Sequence, residues 1–323
     1  MSLVINHNLM AMNAARNLSS AYGNLSTSTR RLSSGLRVGT AADDAAGLAI
    51  RELMRADIKG MNQGVRNAND AISMIQVADG ALQIIDEKLI RLKELAMQAS
   101  TGTYSSDQRL MIDSEYQAMC SEITRIANAT DFNGIHLLNG HLSGNASTHN
   151  GNGLDSVGAL KVHFGTGNDS SEDYYYINMG CSTASALGLG MLTSSKAKFT
   201  DTEIANEQDP VKKASMRAAN NAGKTISTQE MAQQALNAIN QAIISKDKIR
   251  ANLGAMQNRL QNTITNLTIQ AENLQASESR ISDVDVATEM TEFTRQQILS
   301  QSAVAMLAQA NSLPKMALQL IQG

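Results

Sequence analysis

The chain has no Trp, and only 3% of its 323 residues are aromatic. Compact globular cores of that length draw much of their buried area from large rings, so Leu, Ile, Met and Ala on helical seams are expected to do the work instead. With 2 Pro in the whole chain, little interrupts a long helix, since proline removes a backbone donor and clashes inside one. The 2 Cys, Cys120 on a helical pattern and Cys181 in a small-residue stretch, lie far apart and are expected to remain thiols. A formal net charge of −3 gives no case for nucleic acid or an anionic membrane surface as partner. No segment reaches the roughly 18 consecutive apolar residues of a membrane span. The first residues lack a basic start followed by an apolar run, and Asn6, His7 and Asn8 interrupt them. No cleaved secretory signal is therefore expected, which leaves the cytosol or a dedicated export route.

What is present is a seven-residue apolar beat at both ends. It runs through Ala11, Ala14, Leu18, Ala21, Leu25, Ser28 and Leu32, the alternating three-four spacing of one narrow helical seam. A longer beat passes through Ile58, Met61, Val65, Ala68, Ile72, Ile75, Ala78, Leu82, Ile85, Leu89, Leu92, Ala96 and Ala99. Two successive three-residue steps at 75–82 form a stammer that overwinds a coiled coil; with Gly64 and Gly80 nearby, it is a candidate soft place. The third beat runs through Ala232, Ala235, Ile239, Ala242, Lys246, Ile249, Leu253, Met256, Leu260, Thr263, Leu267, Gln270 and Leu274. Segments 47–99 and 227–274 would each reach roughly 70–80 Å, so the two halves are expected to share an antiparallel bundle. Residues 1–40 carry Arg16, Arg30, Arg31 and Arg37 without a carboxylate, whereas 281–292 carries Asp283, Asp285, Glu289 and Glu292 without a base. That asymmetry favours pairing of the two ends, though exposed ion pairs contribute only about 0–1 kcal/mol each.

Breaks in the pattern mark the joints. Gly35 and Gly39 end the first helix, Thr40 to Asp43 reads as a capping box for the second, and Gly102 closes it. Ser105 to Gln108 caps a shorter helix, Ser227 to Glu230 the long C-terminal rod, and Ser282 to Asp285 a last helix with Val286, Met290, Phe293, Ile298, Val304, Leu307 and Leu313, which Pro314 kinks or ends. Half of the 22 glycines fall in 134–190, together with Leu160 to Phe164 and Tyr174 to Ile177, which read as short strands joined by turns. A polar connector at 193–225 follows, with a short helix near 210–221.

Chemistry is not evident. His136, His141, His149 and His163 cluster in the glycine-rich stretch, but without His-Glu-x-x-His or paired-Cys spacing they read as solvated loop residues. Gly188 and Gly190 lack the strand, third glycine and helix of a dinucleotide loop. No Gly-x-Ser-x-Gly elbow or convergent Ser, His and Asp set occurs. No catalytic residue, metal or cofactor is expected.

The run Leu32-Ser-Ser-Gly-Leu-Arg-Val-Gly-Thr-Ala-Ala-Asp-Asp-Ala-Ala-Gly-Leu-Ala-Ile50 resembles the N-terminal signature of bacterial flagellins. Asp131-Phe-Asn-Gly134, Leu253-Gly-Ala-Met-Gln-Asn-Arg-Leu260 and Ser300-Gln-Ser-Ala-Val-Ala-Met-Leu-Ala-Gln-Ala-Asn311 resemble three further flagellin motifs in the same order. The resemblance covers roughly 1–180 and 226–323; residues 181–225 have no counterpart, as if the variable outer part were nearly absent. It implies a mainly α fold, an elongated antiparallel helical bundle or coiled coil made by the N- and C-terminal segments, with a small β-hairpin region. It also implies four parts: an inner helical domain with spoke (1–46 and 277–323), an outer bundle (47–133 and 226–276), a hairpin part (134–192) and the short variable connector (193–225).

The resemblance further implies a filament subunit for swimming motility, exported unfolded by the flagellar type III apparatus and assembled at the filament tip outside the cell. Its partners would be copies of itself, an export chaperone, and the filament cap and hook-junction proteins. Inner assembly helices would use Leu18, Leu25, Leu32, Ile298, Val304 and Leu307, the joint Gly35 and Gly39, and the outer seam Ile72, Leu82, Leu89, Leu253, Leu260 and Leu267. By the same resemblance, an innate immune Toll-like receptor would contact Arg91, Leu95 and Glu115. Independently of the family, the arms bury too little to fold alone: fixing a residue costs roughly 1–2 kcal/mol, and apolar positions in 1–34 are sparse and often Ala. Alternatives are a hook–filament junction protein, an enzyme housed in the variable region, and an intracellular coiled-coil scaffold.

Overall fold

A computed structural model of the chain describes residues 8–143, 158–189 and 224–322. The expected short helix near 210–221, and all of the connector before residue 224, lie outside the described residues, as does His149. The elements in chain order are α1 (Leu9–Ser34), α2 (Ala45–Ser100), α3 (Ser106–Ala129), β1 (Asp131–Phe132), β2 (Ile135–His136), β3 (Leu160–His163), β4 (Tyr174–Ile177), α4 (Gln229–Ser282) and α5 (Val286–Gln322). Among the described residues the fold is mainly α, with two small antiparallel hairpins. The chain forms two compact units, 1–59 with 269–323, and 60–268.

In the first unit α1 packs along α5. Asn8 caps α1 by accepting from Ala11 N–H at 3.0 Å, and its Nδ2 donates to the Ala310 carbonyl at 2.7 Å. At the other end of α1, Arg31 Nη1 lies 3.7 Å from Glu289 Oε2, so the two helices run antiparallel. Gly35 ends α1 at φ 72, a left-handed conformation that a side chain would resist. The next residues are stapled by backbone bonds: Arg37 N–H donates to Ser282 carbonyl at 2.7 Å and Val284 N–H to Gly35 carbonyl at 3.0 Å. Arg37 Nη2 adds bonds to the carbonyls of Arg280 and Ile281 at 3.2 and 2.9 Å, and the nearly buried Arg51 donates to Val38 carbonyl at 2.6 Å.

Helix ends differ from expectation in register. Asp43 accepts from Thr40 N–H and hydroxyl, closing a turn ahead of the helix, while Asp44 receives Ala46 and Gly47 N–H and is the effective cap of α2. The capping box at Ser105 and Gln108 is formed. Thr228 rather than Ser227 caps α4, and Asp285 rather than Ser282 caps α5. The helix α4 continues through 277–282, and the break falls at 283–285. Proline loses only one backbone donor, and α5 runs through Pro314 to Gln322.

The second unit has one contiguous core. The expected seam is buried at Ala68, Ile75, Ala78, Leu82, Ile85, Leu89, Leu92, Ala96 and Ala99, but Ala71, Met74, Ala81 and Leu95 are buried as well. The stripe on α2 is wider than one heptad seam because this helix is covered on several sides, by Tyr116, Cys120 and Ile123 of α3, Ala235 and Ile239 of α4, and Val162 and Ile177 of the hairpin. On α4 the beat holds through Leu253, Leu260 and Leu267, after which Ala271 rather than Gln270 is buried. An α-helix drifts against a strict heptad, so a long seam changes residue at its far end.

The β1–β2 turn places Asn133 at φ 53 and Gly134 at φ 81, the paired positive dihedrals of a two-residue hairpin. Hairpin β3–β4 pairs Leu160 with Ile177 and His163 with Tyr174. It rests on α2, where Asn67 Nδ2 donates to His163 carbonyl at 2.8 Å. Arg259 of α4 lies 3.6 Å over the Tyr175 ring. On the same face a Cβ at Gly64 would fall 1.9 Å from the Phe164 carbonyl oxygen, whereas one at Gly80 would meet nothing within 4 Å.

Gly64→Ala is expected to lower unfolding stability by about 1–3 kcal/mol through this clash. Gly80→Ala is expected to leave it unchanged or raise it by about 0.5–1 kcal/mol. Urea titrations of both variants check the contrast. Burial also pushes the Cys120 thiol from 9.0 up to about 12, and raises the Tyr116 hydroxyl. Because the folded state holds the thiol proton more tightly, this contribution is complete below the unfolded value of 9.0 and disappears as pH rises toward about 12. Urea midpoints are expected to fall across that window, and less steeply in Cys120→Ala.

Candidate assembly site

The α1–α5 pair has a mixed seam. Its α1 side follows the expected beat, with Ala21 and Ser28 buried and Leu18, Leu25 and Leu32 half-buried. Its α5 side mixes apolar with polar residues. Glu289, Phe293, Gln296, Ser300, Ala303, Leu307 and Ala310 are buried or half-buried on a three-four beat, and Glu292 and Ser312 are half-buried as well. Within this group Glu289 is 9% exposed, Gln296 8% and Ser300 6%. Of the predicted assembly residues on α5, Leu307 is half-buried while Ile298 and Val304 point to solvent, together with Met290, Leu299 and Met306. Leu9, Met10, Met12 and Tyr22 of α1 are exposed as well.

Sequence reading found the α1 seam because its residues are apolar. On α5 the apolar pattern marks Phe293 and Leu307 of the seam but not Glu289, Gln296 and Ser300, which share its beat. The large side chains on α5 are spread around the helix. Such a helix has no single partner face and suits burial on several sides. An open groove of about 630 Å³ runs between α1 and α5, lined by Met10, Asn13, Asn17, Leu299 and Met306 among others. Two buried polar atoms at the end of the pair, Arg31 Nε and Glu289 Oε1, have no hydrogen-bond partner in the subunit.

The second unit shows a related pattern. Val77, Ile84, Ile90 and Met97 of α2, Leu110 and Met111 of α3 and Ile244 of α4 are exposed. On α2, Val77, Gly80 and Ile84 share one face by their spacing, and Ile90 and Met97 lie together further round the helix. Leu82, Leu89, Leu253, Leu260 and Leu267 are buried in the seam, and Ile72 is half-buried against the core. Gly39 is exposed in the joint that Gly35 opens.

Arg91 and Glu115 meet on the surface, Nη2 to Oε1 at 2.8 Å, with side chains 47% and 43% exposed. Glu94 accepts a second bond from Arg91 Nη1 at 3.0 Å. The Glu115 hydrogen bond, then that of Glu94, raises the Arg91 guanidinium further above its ordinary range. Leu95, one turn on, is 1% exposed and belongs to the core.

Among the described residues no helix is long and apolar enough to cross a membrane. The family model for the bacterial flagellin N-terminal helical region matches residues 5–143, and that for the bacterial flagellin C-terminal helical region matches 236–321. A flagellar filament 33 kDa core protein of Treponema phagedenis is 39% identical over 321 residues, 99% of this chain and 100% of the relative. A flagellin of Halalkalibacterium halodurans is 39% identical over 320 residues, again 99% of this chain and 100% of the relative. A solved chain from Vibrio parahaemolyticus, assigned to the flagellar hook-associated proteins, covers 75% of this chain and 100% of its own at TM-score 0.51 and 14% identity, a likeness of fold alone. Matched by these two family models and by relatives along almost its whole length, the chain belongs to the bacterial flagellin family, structural and non-enzymatic subunits that self-assemble into the flagellar filament.

Proposed function

We propose that this subunit leaves the cell unfolded through the flagellar type III apparatus, escorted by an export chaperone. It then completes its fold only as it is added at the filament tip beneath the cap, on a base begun by the hook-junction proteins. The observation that carries this reading is the α1–α5 pair, which buries Glu289, Gln296 and Ser300 while leaving Met12, Ile298, Val304 and Met306 exposed. Each large apolar side chain gains about 1.5–3 kcal/mol when fully covered, whereas ordering costs roughly 1–2 kcal/mol per residue in backbone alone. The isolated pair cannot offset that cost; copies packed around it can. Two free thiols and no disulfide among the described residues suit passage of an unfolded chain. In the filament, residues 1–46 with 277–323 form the inner domain that lines the export channel, and 47–133 with 226–276 the outer bundle bearing the hairpins of 134–192 and the connector of 193–225.

Recognition by an innate immune Toll-like receptor rests on a narrower observation. The exposed Arg91–Glu115 pair spans α2 and α3, and a few such residues dominate many interfaces. Leu95, being buried, contributes by holding α2 in place rather than by offering its own side chain.

Amide exchange compares monomer with seeded polymer. Residues 9–34 and 286–312 are expected to exchange fast in the monomer and at least about 100-fold more slowly in the polymer; protection already present in the monomer would sink the reading. In a receptor reporter assay, Arg91→Ala and Glu115→Ala are each expected to weaken the response by about tenfold or more with little change in urea midpoint. An unchanged response removes these residues from the receptor site.

A further inference from the structure

The seam between α2 and α4 contains one residue that hydrophobic packing does not explain. Lys246 occupies a heptad position between Ile239 and Leu253 and is 1% exposed. Its Nζ donates to Asp86 Oδ1 at 2.5 Å and lies 2.7 Å from Asp247 Oδ1. One turn further along α4, Arg250 Nε and Nη2 grip Asp79 at 2.7 and 3.2 Å. We propose that Lys246 and Arg250 together determine the register in which α4 pairs with α2.

Apolar contacts cannot make that choice alone. Ile239, Leu253, Leu260 and Leu267 recur at multiples of seven on α4, as do Leu82, Leu89 and Ala96 on α2. A slip of one heptad therefore places Leu on Leu again. The charged residues distinguish the alternatives. Along α2, positions 72, 79, 86 and 93 lie on one line and read Ile72, Asp79, Asp86 and Lys93. In the observed register Lys246 meets Asp86 and Arg250 meets Asp79. Slipping α4 toward the C-terminal end of α2 gives Arg250 the carboxylate of Asp86, but sets Lys246 against Lys93. Slipping it the other way gives Lys246 the carboxylate of Asp79, but sets Arg250 against Ile72.

Asp247 moves with Lys246 in every register, but only the observed one gives both cations a carboxylate on α2. A buried charge left without a partner is strongly unfavourable, while the pair itself adds little over an apolar replacement. The contribution of Lys246 is thus specificity rather than stability, as for other polar residues placed in coiled-coil seams. A chain that must find this pairing unaided benefits from such a check.

The test uses the full chain in a Cys120→Ala, Cys181→Ser background that keeps a single distance peak, with nitroxide labels on cysteines replacing the exposed Glu87 and Asn262. Distances are read by pulsed electron resonance after refolding from urea. Lys246→Met is expected to keep or raise the urea midpoint and to add a population about 10 Å shorter, one heptad at about 1.5 Å per residue. Arg250→Met is expected to add a population about 10 Å longer, and Lys246→Arg to retain one peak. A single parental peak in both Met variants, or displacement in the same direction, overturns the proposal. If Lys246→Met does not fold, the exchange of Asp86→Lys with Lys246→Asp decides: the parental peak must return in the exchange and be lost in each half of it.

Discussion

The partly polar seam between α1 and α5 is the constraint around which this subunit is organised. Two helices that bury Glu289, Gln296, Ser300 and Ser28 against each other gain less from pairing than an apolar seam would give, because a hydrogen-bonded polar group adds only a modest net amount and an unpaired one, such as Glu289 Oε1, costs. Their apolar surface, meanwhile, lies where a lone subunit cannot use it. This distribution is poor for a monomer and appropriate for a polymer, in which each helix is surrounded. Large contiguous apolar patches mark interaction surfaces, and the exposed Met12, Ile298, Val304 and Met306 are the residues that packing in the polymer would cover.

The unit formed by 60–268 solves the opposite problem. It has a true core, in which Leu82, Ile85, Leu89, Leu92, Tyr116 and Ile239 are completely buried, and it needs no neighbour to justify its fold. Specific polar contacts fix its details: Asp113 receives Ile226 N–H at 2.7 Å and the Thr225 hydroxyl at 3.0 Å where the chain enters α4, and Gly64 admits the Phe164 backbone against α2. Apolar area supplies the driving force, while glycines, caps and ion pairs select one arrangement from those that bury similar area. Lys246 and Arg250 are the strongest instance.

Much of this was legible from residue order. The beats on α1, α2 and α4, the Gly35 joint, the Ser105 cap and the strands at 160–163 and 174–177 follow from periodicity and local backbone preference, which act over a few residues. Helix starts were displaced because adjacent candidates compete: Asp43 and Asp44, Ser227 and Thr228, Ser282 and Asp285 all carry suitable acceptors, and the bond actually made depends on where the preceding chain arrives. The α5 seam was only partly legible, for a different reason. Hydrophobic periodicity assumes that the buried face is the apolar one, and on α5 Glu289, Gln296 and Ser300 share that face with Phe293 and Leu307.

The order of residues alone therefore determined which segments are helical, where the chain must break, and that the two ends match in length and character. Those properties arise from sterics, capping and three-four spacing. Only the tertiary structure decided which face of each helix is used: that Ile298 and Val304 look outward while Gln296 and Ser300 look inward, that Leu95 is core while Arg91 and Glu115 are surface, and that Lys246 lies buried beside Asp86. A side chain's burial depends on what stands opposite it, and that partner is often more than a hundred residues away.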